Sequence, residues 1–226
     1  MAAPAQISLS NSKSVRDLIR KMDKLNIHYI DKISICLVAS GEKPSSLLLL
    51  KRTENAHAIR QDLIASGLHT SFLDRPNCKF YELVLAAEKS VCVRLTDYIH
   101  AGDGYNIGIS LGYPENAVSS FVNKTPGCIH SYDESVKSYS YGLIDGYLVP
   151  VFFAYPMHVP EQIISGNGIL TLDVPSENLA RKYMSCIRKI DRTLSNEIEN
   201  NFATELSDFA GGKNIYFDST YYTIKN

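Results

Sequence analysis

Two tyrosine–proline corners carry the side chains that could do chemistry in this sequence. The first corner is LGYPENAVSSF, residues 111–121, where Tyr113, Glu115 and Asn116 surround the start of a short apolar-periodic segment. Backbone N–H groups at the start of a helix lack partners within the helix and can hold an anion or a carbonyl oxygen. We therefore predict that Tyr113 and Asn116 bind a small ligand. A purely structural alternative stays open, because proline and an acidic residue also suit the first turn of a helix.

The second corner is AYPMHVPEQ, residues 154–162, in which His158 stands between two prolines. Prolines fix the backbone, so a histidine between them can be held in one orientation with little loss of entropy. Histidine titrates near neutral pH and can act as a general acid or base. We predict a polar pocket between the two corners, walled by Tyr113 and Tyr155. In that pocket His158 would be the catalytic proton carrier, with Glu115 as its orienter. The alternative is a loop histidine bonded to a nearby carbonyl, and the sequence does not decide whether the protein is an enzyme.

Together the two corners resemble a poorly characterised, mainly archaeal family of proteins of unknown function. The family pattern is Gly-Tyr-Pro-Xaa-Cys-Cys-Val-Xaa-Xaa-Phe, followed by His-Xaa-Pro-Cys ahead of a helix. The matching positions, within roughly residues 79–190, are Gly112, Tyr113, Pro114, Val118, Phe121, His158 and Pro160. Asn116 and Ala117 replace the paired cysteines, and Glu161 replaces the later one. The resemblance thus implies a shared fold without any thiolate metal or redox chemistry, because these residues do not substitute for soft sulfur ligands.

A rival enzyme hypothesis comes from GISLG, residues 108–112, which matches the Gly-x-Ser-x-Gly nucleophile elbow of serine hydrolases. Ser110 would follow a strand, and Asp133 or Asp145 with His158 would complete a triad. In that motif the helix begins directly after the serine, whereas here a Gly-Tyr-Pro turn intervenes. The match can also arise by chance in a turn that contains serine and glycine.

A non-enzymatic alternative places the function on the C-terminal helix. Basic residues cluster in the first half of that helix and acidic residues follow: Arg181, Lys182, Arg188, Lys189 and Arg192, then Glu197, Glu199, Glu205 and Asp208. This order opposes the helix macrodipole, whose effect is only a few tenths of a kcal/mol per charge. It would suit a partner helix, a homo-oligomer or a phosphate-bearing ligand, and a solvated helix face is the ordinary explanation.

Binding to nucleic acid is the third hypothesis. The first helix is also rich in basic residues: Lys13, Arg16, Arg20, Lys21 and Lys24. If both basic stretches lay on one side, they could form a nucleic-acid surface, although no RNA-reading motif accompanies them. The formal net charge of −1 provides no global attraction to nucleic acid or to an anionic membrane.

The cysteines and the apolar segments predict a cytoplasmic protein without a metal or a cofactor. Five cysteines are scattered along the chain and never spaced C-x-x-C, which is typical of reduced thiols. No cluster reaches the three ligands that a metal needs. The longest apolar stretch, residues 147–159, is 13 residues long and contains two prolines, so it is too short to cross a membrane.

The elements that must position these residues alternate between helix and strand, which predicts a mixed α/β or α+β fold. We expect a central mixed sheet flanked by helices, with a long C-terminal helix of about 30 residues. The predicted strands are residues 32–40, 46–52, 79–87 and 147–155, and the predicted helices are 12–25, 54–66, 88–101, a short one after Pro114, and 179–206. The chain is predicted to form one domain, with possible lobes at 1–75 and 76–210 and a tail at 211–226.

Overall fold

The computed structural model describes residues 12–73, 80–123 and 174–210 of the chain. Within these ranges the helices are α1 (Ser12–Lys24), α2 (Tyr29–Ala39), α3 (Glu54–Ala65), α4 (Lys89–Ala101), α5 (Gly104–Ser110), α6 (Glu115–Val122), α7 (Val174–Ile190) and α8 (Arg192–Ala210). The strands are β1 (Ser45–Lys51), β2 (His69–Leu73) and β3 (Phe80–Ala86). The predicted mixture of helices and strands is confirmed. Gly67 and Gly102, which follow α3 and α4, adopt left-handed conformations with φ of 85° and 68°.

The three described strands form a sheet in the order β1-β3-β2, and both pairs are antiparallel. The sequence predicted a mixed sheet and did not identify β2. In the central strand, Leu83 is opposite Leu48 on one side and Phe72 on the other. Because alternate residues of a strand face opposite sides of a sheet, this register sorts the side chains into two cores.

The larger core lies between one face of the sheet and helices α1, α2, α3, α7 and α8. Leu83 and Leu85 of β3 belong to it, together with Tyr183 and Ile187 of α7. The smaller core lies on the other face, where Val84 and Ala86 meet residues of α4, with α5 packed alongside. The described residues therefore form helix, sheet and helix layers, and the larger core contains residues from both predicted lobes.

Helix α2 corrects the predicted strand at 32–40. Nearly every residue of α2 is buried, and its apolar side chains point in all directions. A short apolar run fits a buried strand or a buried helix equally well, so periodicity alone could not decide. A helix satisfies its own backbone hydrogen bonds and can therefore be surrounded by side chains on every side. His28 precedes the helix, and its Nδ1 accepts a hydrogen bond from the N–H of Ile30 at 3.4 Å.

Two adjacent polar residues of α2 are buried and connect it to its neighbours. The ammonium group of Lys32 lies 2.8 Å from Oδ1 of Asp23 on α1 and 2.6 Å from Oε2 of Glu197 on α8. The carboxyl group of Asp31 accepts a hydrogen bond from the N–H of Leu49 on β1 at 3.4 Å. These contacts fix α2 between two helices and the edge of the described sheet.

The predicted 30-residue C-terminal helix is interrupted at Asp191. The carboxylate of Asp191 accepts hydrogen bonds from the N–H groups of Thr193 and Leu194, at 2.9 and 3.1 Å, and so begins α8. Aspartate is among the preferred residues for this capping position. Nε of Arg16 on α1 donates to the carbonyl of Ile190 at 2.6 Å, which satisfies an acceptor at the end of α7. One capping side chain and one arginine thus account for a break that the uninterrupted apolar periodicity conceals.

Asp31 allows a pH-dependent test of the α2 environment. Burial raises the pKa of Asp31 from 3.8 to about 7, because desolvation outweighs the hydrogen bond from Leu49. Between pH 4 and 7 the folded protein therefore holds a proton that the unfolded chain releases, so the free energy of unfolding falls as pH rises through this window. An Asp31→Asn variant keeps the acceptor oxygen and has no charge to bury. We expect it to be more stable than the native protein at pH 8, on the order of 4 kcal/mol, with little difference at pH 4.

Urea unfolding at pH 4, 6 and 8 measures this difference. The matched control is Asp97→Asn on the exposed surface of α4, which we expect to give a small and constant effect. A difference between Asp31→Asn and the native protein that is the same at all three pH values would contradict a protonated Asp31.

Candidate functional site

The Gly-Tyr-Pro corner packs against the turn that connects α2 to β1. Gly112 has a φ of 80°, and a Cβ added there would lie 2.9 Å from Cδ of Pro44. The Oγ atom of Ser45 donates a hydrogen bond to the carbonyl of Ser110 at 2.5 Å. Glycine is therefore required at position 112 both for its backbone conformation and for the close approach of Pro44.

Tyr113 lies beside a lysine that sequence reasoning did not single out. The ammonium group of Lys43 is 5.8 Å from the centroid of the Tyr113 ring. Lys43 is 9% exposed, and no carboxylate in the described ranges forms an ion pair with it. Burial lowers the pKa of Lys43 from 10.5 to about 8. A perturbed titratable group beside a predicted ligand-binding tyrosine marks this corner as a candidate site.

Glu115 and Asn116 are both exposed at the start of α6. Pro114 is the residue before the helix, and Glu115 is the first helical residue. The Glu115 carboxylate accepts a hydrogen bond from the Tyr105 hydroxyl at 2.9 Å. This bond raises the pKa of Tyr105. In the described structure the partner of Glu115 is thus a tyrosine of α5.

The second tyrosine–proline corner lies outside the described residues. Tyr155 and His158 belong to the range 124–173, as do the predicted strand at 147–155 and the triad candidates Asp133 and Asp145. The predicted pocket between the two corners, including the roles of His158 and Tyr155, therefore stays a prediction.

The predicted strand before Ser110 is wrong, because residues 104–110 form α5. The carboxylate of Asp103 accepts a hydrogen bond from the Asn106 N–H at 3.1 Å and begins this short helix. A nucleophile elbow needs a strand directly before its serine. Ser110 is instead the last residue of a helix, and this removes the structural basis of the serine hydrolase hypothesis.

The apolar face predicted for α6 is only half correct. Ala117 and Val118 are buried, whereas Phe121 and Val122 are 40% and 42% exposed. Helix α6 lies very close to α5, because a Cβ added at Gly108 would be 2.7 Å from Cγ2 of Val118. This close contact buries Val118 against α5.

A groove of about 450 Å³ lies between the start of α1, the end of α2 and helix α7. Six of its lining residues are polar: Ser12, Ser40, Glu42, Lys182, Ser185 and Lys189. Lys182 and Lys189 were singled out in the sequence as part of the basic cluster. The other four residues were not. Ser12, Ser40 and Glu42 come from segments far from α7 in the chain, and Ser185 lies between the two lysines on α7.

The charged groups of the groove are partly paired. The ammonium group of Lys182 lies 2.7 Å from Oε2 of Glu42. Among the described residues, no carboxylate forms an ion pair with Lys189. The Cys186 thiol donates to Oγ of Ser40 at 3.5 Å, and burial raises the pKa of Cys186 despite that contact. A thiol that stays protonated is a poor nucleophile, so the groove is suited to binding rather than to thiolate catalysis.

The remaining members of the basic cluster do not share this groove. Arg188 lies 2.7 Å from Glu199 and connects α7 to α8. Arg181 and Arg192 are exposed. The predicted partner-binding cluster is therefore divided between the groove, the α7–α8 contact and the outer surface.

No family model, no curated protein and no solved structure matches the chain. The resemblance to the archaeal family thus stays a prediction. Within the described ranges, no three His, Cys, Asp or Glu side chains come together as they would around a metal ion. None of the helices described is long and apolar enough to span a bilayer.

The close packing of the Gly-Tyr-Pro corner can be tested by adding one methyl group. A Gly112→Ala substitution forces a non-glycine residue to a positive φ and places its Cβ against Pro44. We expect a loss of about 2–4 kcal/mol in the free energy of unfolding, from backbone strain together with overpacking. The control is Gly102→Ala, where φ is 68° and no atom lies within 4 Å of the added Cβ.

The Gly102→Ala control should lose only the part of the unfolding free energy that comes from backbone strain, about 1 kcal/mol. Guanidinium unfolding of both variants gives the comparison. Equal losses for the two variants would show that residue 112 does not pack against Pro44.

Proposed function

We propose that this protein binds a small anionic ligand in the groove between α1, α2 and α7. The observation that carries this proposal is the pair of lysines, Lys182 and Lys189, beside three serine hydroxyls around a hollow of about 450 Å³. Sites for small molecules typically have volumes of about 300–1,000 Å³ and contain a few convergent polar groups. The groove has this size and this kind of lining.

The spacing of the two lysines supports binding of one ligand by both. They are seven residues apart on α7, which places them on the same face and about 10 Å apart along the axis. Ser185 lies between them in the sequence and also lines the groove. A ligand with one anionic group and a polar remainder could contact both ammonium groups and the hydroxyl.

The charge balance of the groove favours an anion. Lys182 and Lys189 contribute two positive charges and Glu42 one negative charge, which leaves a net charge of +1. The Glu42 carboxylate is already engaged with Lys182. Lys189 has no ion-pair partner among the residues that the structure describes, so its charge is available to a ligand. A carboxylate or a phosphate group satisfies this requirement.

The start of α1 also favours an anionic ligand in the groove. Ser12 and Val15, from the first turn of α1, line the groove, and that turn contains no acidic residue. The first N–H groups of a helix lack intrahelical partners and favour negative charge, by about 0.3–1 kcal/mol. This contribution supports the lysines but does not by itself define a site.

The proposed partner surface on α7 receives less support from the described contacts. Lys182 and Arg188 each contact a carboxylate of the same chain, at 2.7 Å in both cases. A partner helix would have to displace or share these contacts. The groove uses Lys182 and Lys189 without disrupting the packing between α7 and α8.

Replacing Lys189 tests the proposed site. We expect Lys189→Ala to weaken the binding of inorganic phosphate about ten-fold, since hydrogen bonds to charged groups contribute roughly 1.5–3 kcal/mol. The matched control is Lys24→Ala, which also removes one exposed lysine. Lys24 is at the other end of α1, roughly 18 Å along the axis from Ser12.

Phosphate titrations followed by amide NMR shifts give both the affinity and the location. The expected shifts are at Ser12, Ser40, Ser185 and Lys189, with the affinity unchanged in Lys24→Ala. Equally weakened phosphate binding in both variants, or amide shifts spread over the whole surface, would indicate nonspecific attraction to positive charge and would contradict the proposal.

A further inference from the structure

Lys43 is a chemically distinctive group outside the anion groove. It lies in the turn between α2 and β1, where Gly112 and Pro44 of the packed corner adjoin its side chain. The ring of Tyr113 covers its ammonium end at 5.8 Å from the centroid. Lys43 is not among the residues that line the groove. Any chemistry at this amine is therefore separate from the binding of an anion there.

Lys32 provides an internal comparison with Lys43. Both side chains are buried, but Lys32 has two carboxylate partners within 3 Å. For Lys43 no such partner exists among the described residues, and the adjacent Glu42 carboxylate is turned to Lys182. A buried ammonium group is normally paired, because removing a charge from water is costly. Lys43 departs from that rule at the corner where the sequence predicted ligand binding.

From this geometry we propose that Lys43 is a carbonyl-reactive amine that forms an imine with a small aldehyde or ketone. The ammonium end lies over the Tyr113 ring, and Lys43 has little contact with solvent. Its 9% exposure leaves access only to small reagents. The carbonyl compound that reacts with Lys43 is therefore small.

The protonation equilibrium supports a nucleophilic role. Burial lowers the pKa of Lys43 to about 8, whereas the pKa of Lys32 is raised by its two carboxylates despite an opposing effect of burial. At pH 7 about one molecule in ten would carry a neutral Lys43, compared with about one in 3,000 for a lysine at its ordinary pKa. Desolvated lysines of this kind are the ones that attack carbonyl groups.

The reaction balances without an oxidant or reductant. The Nζ lone pair of neutral Lys43 attacks the carbonyl carbon, and the carbonyl electrons move to oxygen, which takes up a proton that the nitrogen releases. The carbinolamine then loses its hydroxyl group together with a nitrogen proton as one water molecule. A C=N bond replaces the C=O bond, and hydrolysis reverses the sequence.

Reductive methylation of the native protein tests the proposal in one sample. Formaldehyde with sodium cyanoborohydride, in limiting amounts at pH 7, methylates lysines through their imines, and peptide mass spectrometry measures the rate at each lysine. Three lysines give the matched comparison: Lys43 is buried with no ionic partner among the described residues, Lys32 is buried with two, and Lys24 is exposed.

We expect Lys43 to react at least about ten-fold faster than Lys24. Lys43 is neutral far more often than Lys24, and this advantage should exceed the slower access of the reagent to a buried amine. Lys32 should react slowest. The rate at Lys43 should rise with pH and level off above about 8, since its pKa is lowered to about that value. A Lys43 that reacts no faster than Lys24, or only after urea is added, would overturn the proposal and make Lys43 a structural side chain. Both results are independent of phosphate binding, so the groove can be tested separately.

Discussion

The ion pairs of Lys32 are the constraint on which the described structure depends. Helix α2 is surrounded by α1, α7, α8 and the sheet, so any polar side chain on it must find a partner inside the protein. Lys32 meets Asp23 of α1 and Glu197 of α8. Both carboxylates keep contact with solvent, which lowers the desolvation penalty that fully buried ion pairs suffer. A single ammonium group thereby sets the positions of two helices relative to α2.

Both candidate sites follow from the position of α2, because its last turn and the residues after it contribute to each of them. Backbone N–H groups of Glu42 and Lys43 donate to the carbonyl of Leu37, at 3.0 and 3.1 Å, and hold this segment against the end of the helix. The two adjacent side chains then diverge. Glu42 meets Lys182 in the groove, and Lys43 meets Tyr113 in the corner. One rigid turn thus separates an ion-paired environment from one in which a lysine has no described carboxylate partner.

Local patterns in the sequence predicted the elements whose signals are local. Helices α1, α3 and α4 and strands β1 and β3 begin and end within one residue of their predicted bounds. Helix α2 was misread because its identity depends on what surrounds it rather than on its own periodicity. The break at Asp191 was missed because Ile190 and Leu194 preserve the apolar spacing on both sides. The only sequence signal for this break is one aspartate, and an aspartate is equally compatible with the exposed face of an uninterrupted helix.

The candidate sites were only half predictable for a related reason. Charge clustering drew attention to Lys182 and Lys189, yet two of the three serines beside them, Ser12 and Ser40, come from the start of α1 and the end of α2, more than 140 residues earlier in the chain. Tyr113 was predicted as a ligand-binding residue, but Lys43 was not singled out. Its burial results from the close approach of Gly112, a contact between distant segments that no local pattern reveals.

Burial acts on several titratable groups of this protein, and the chemical outcome differs by group. Desolvation favours the neutral form in every case: it raises the pKa of Asp31 to about 7 and of Cys36 to about 12, and it lowers the pKa of Lys43 to about 8. A neutral carboxyl group and a neutral thiol are weak nucleophiles. A neutral amine carries a reactive lone pair. Burial therefore makes the carboxyl and thiol groups of the core less reactive as nucleophiles. The same burial makes the amine of Lys43 more reactive, because its neutral form is the nucleophile.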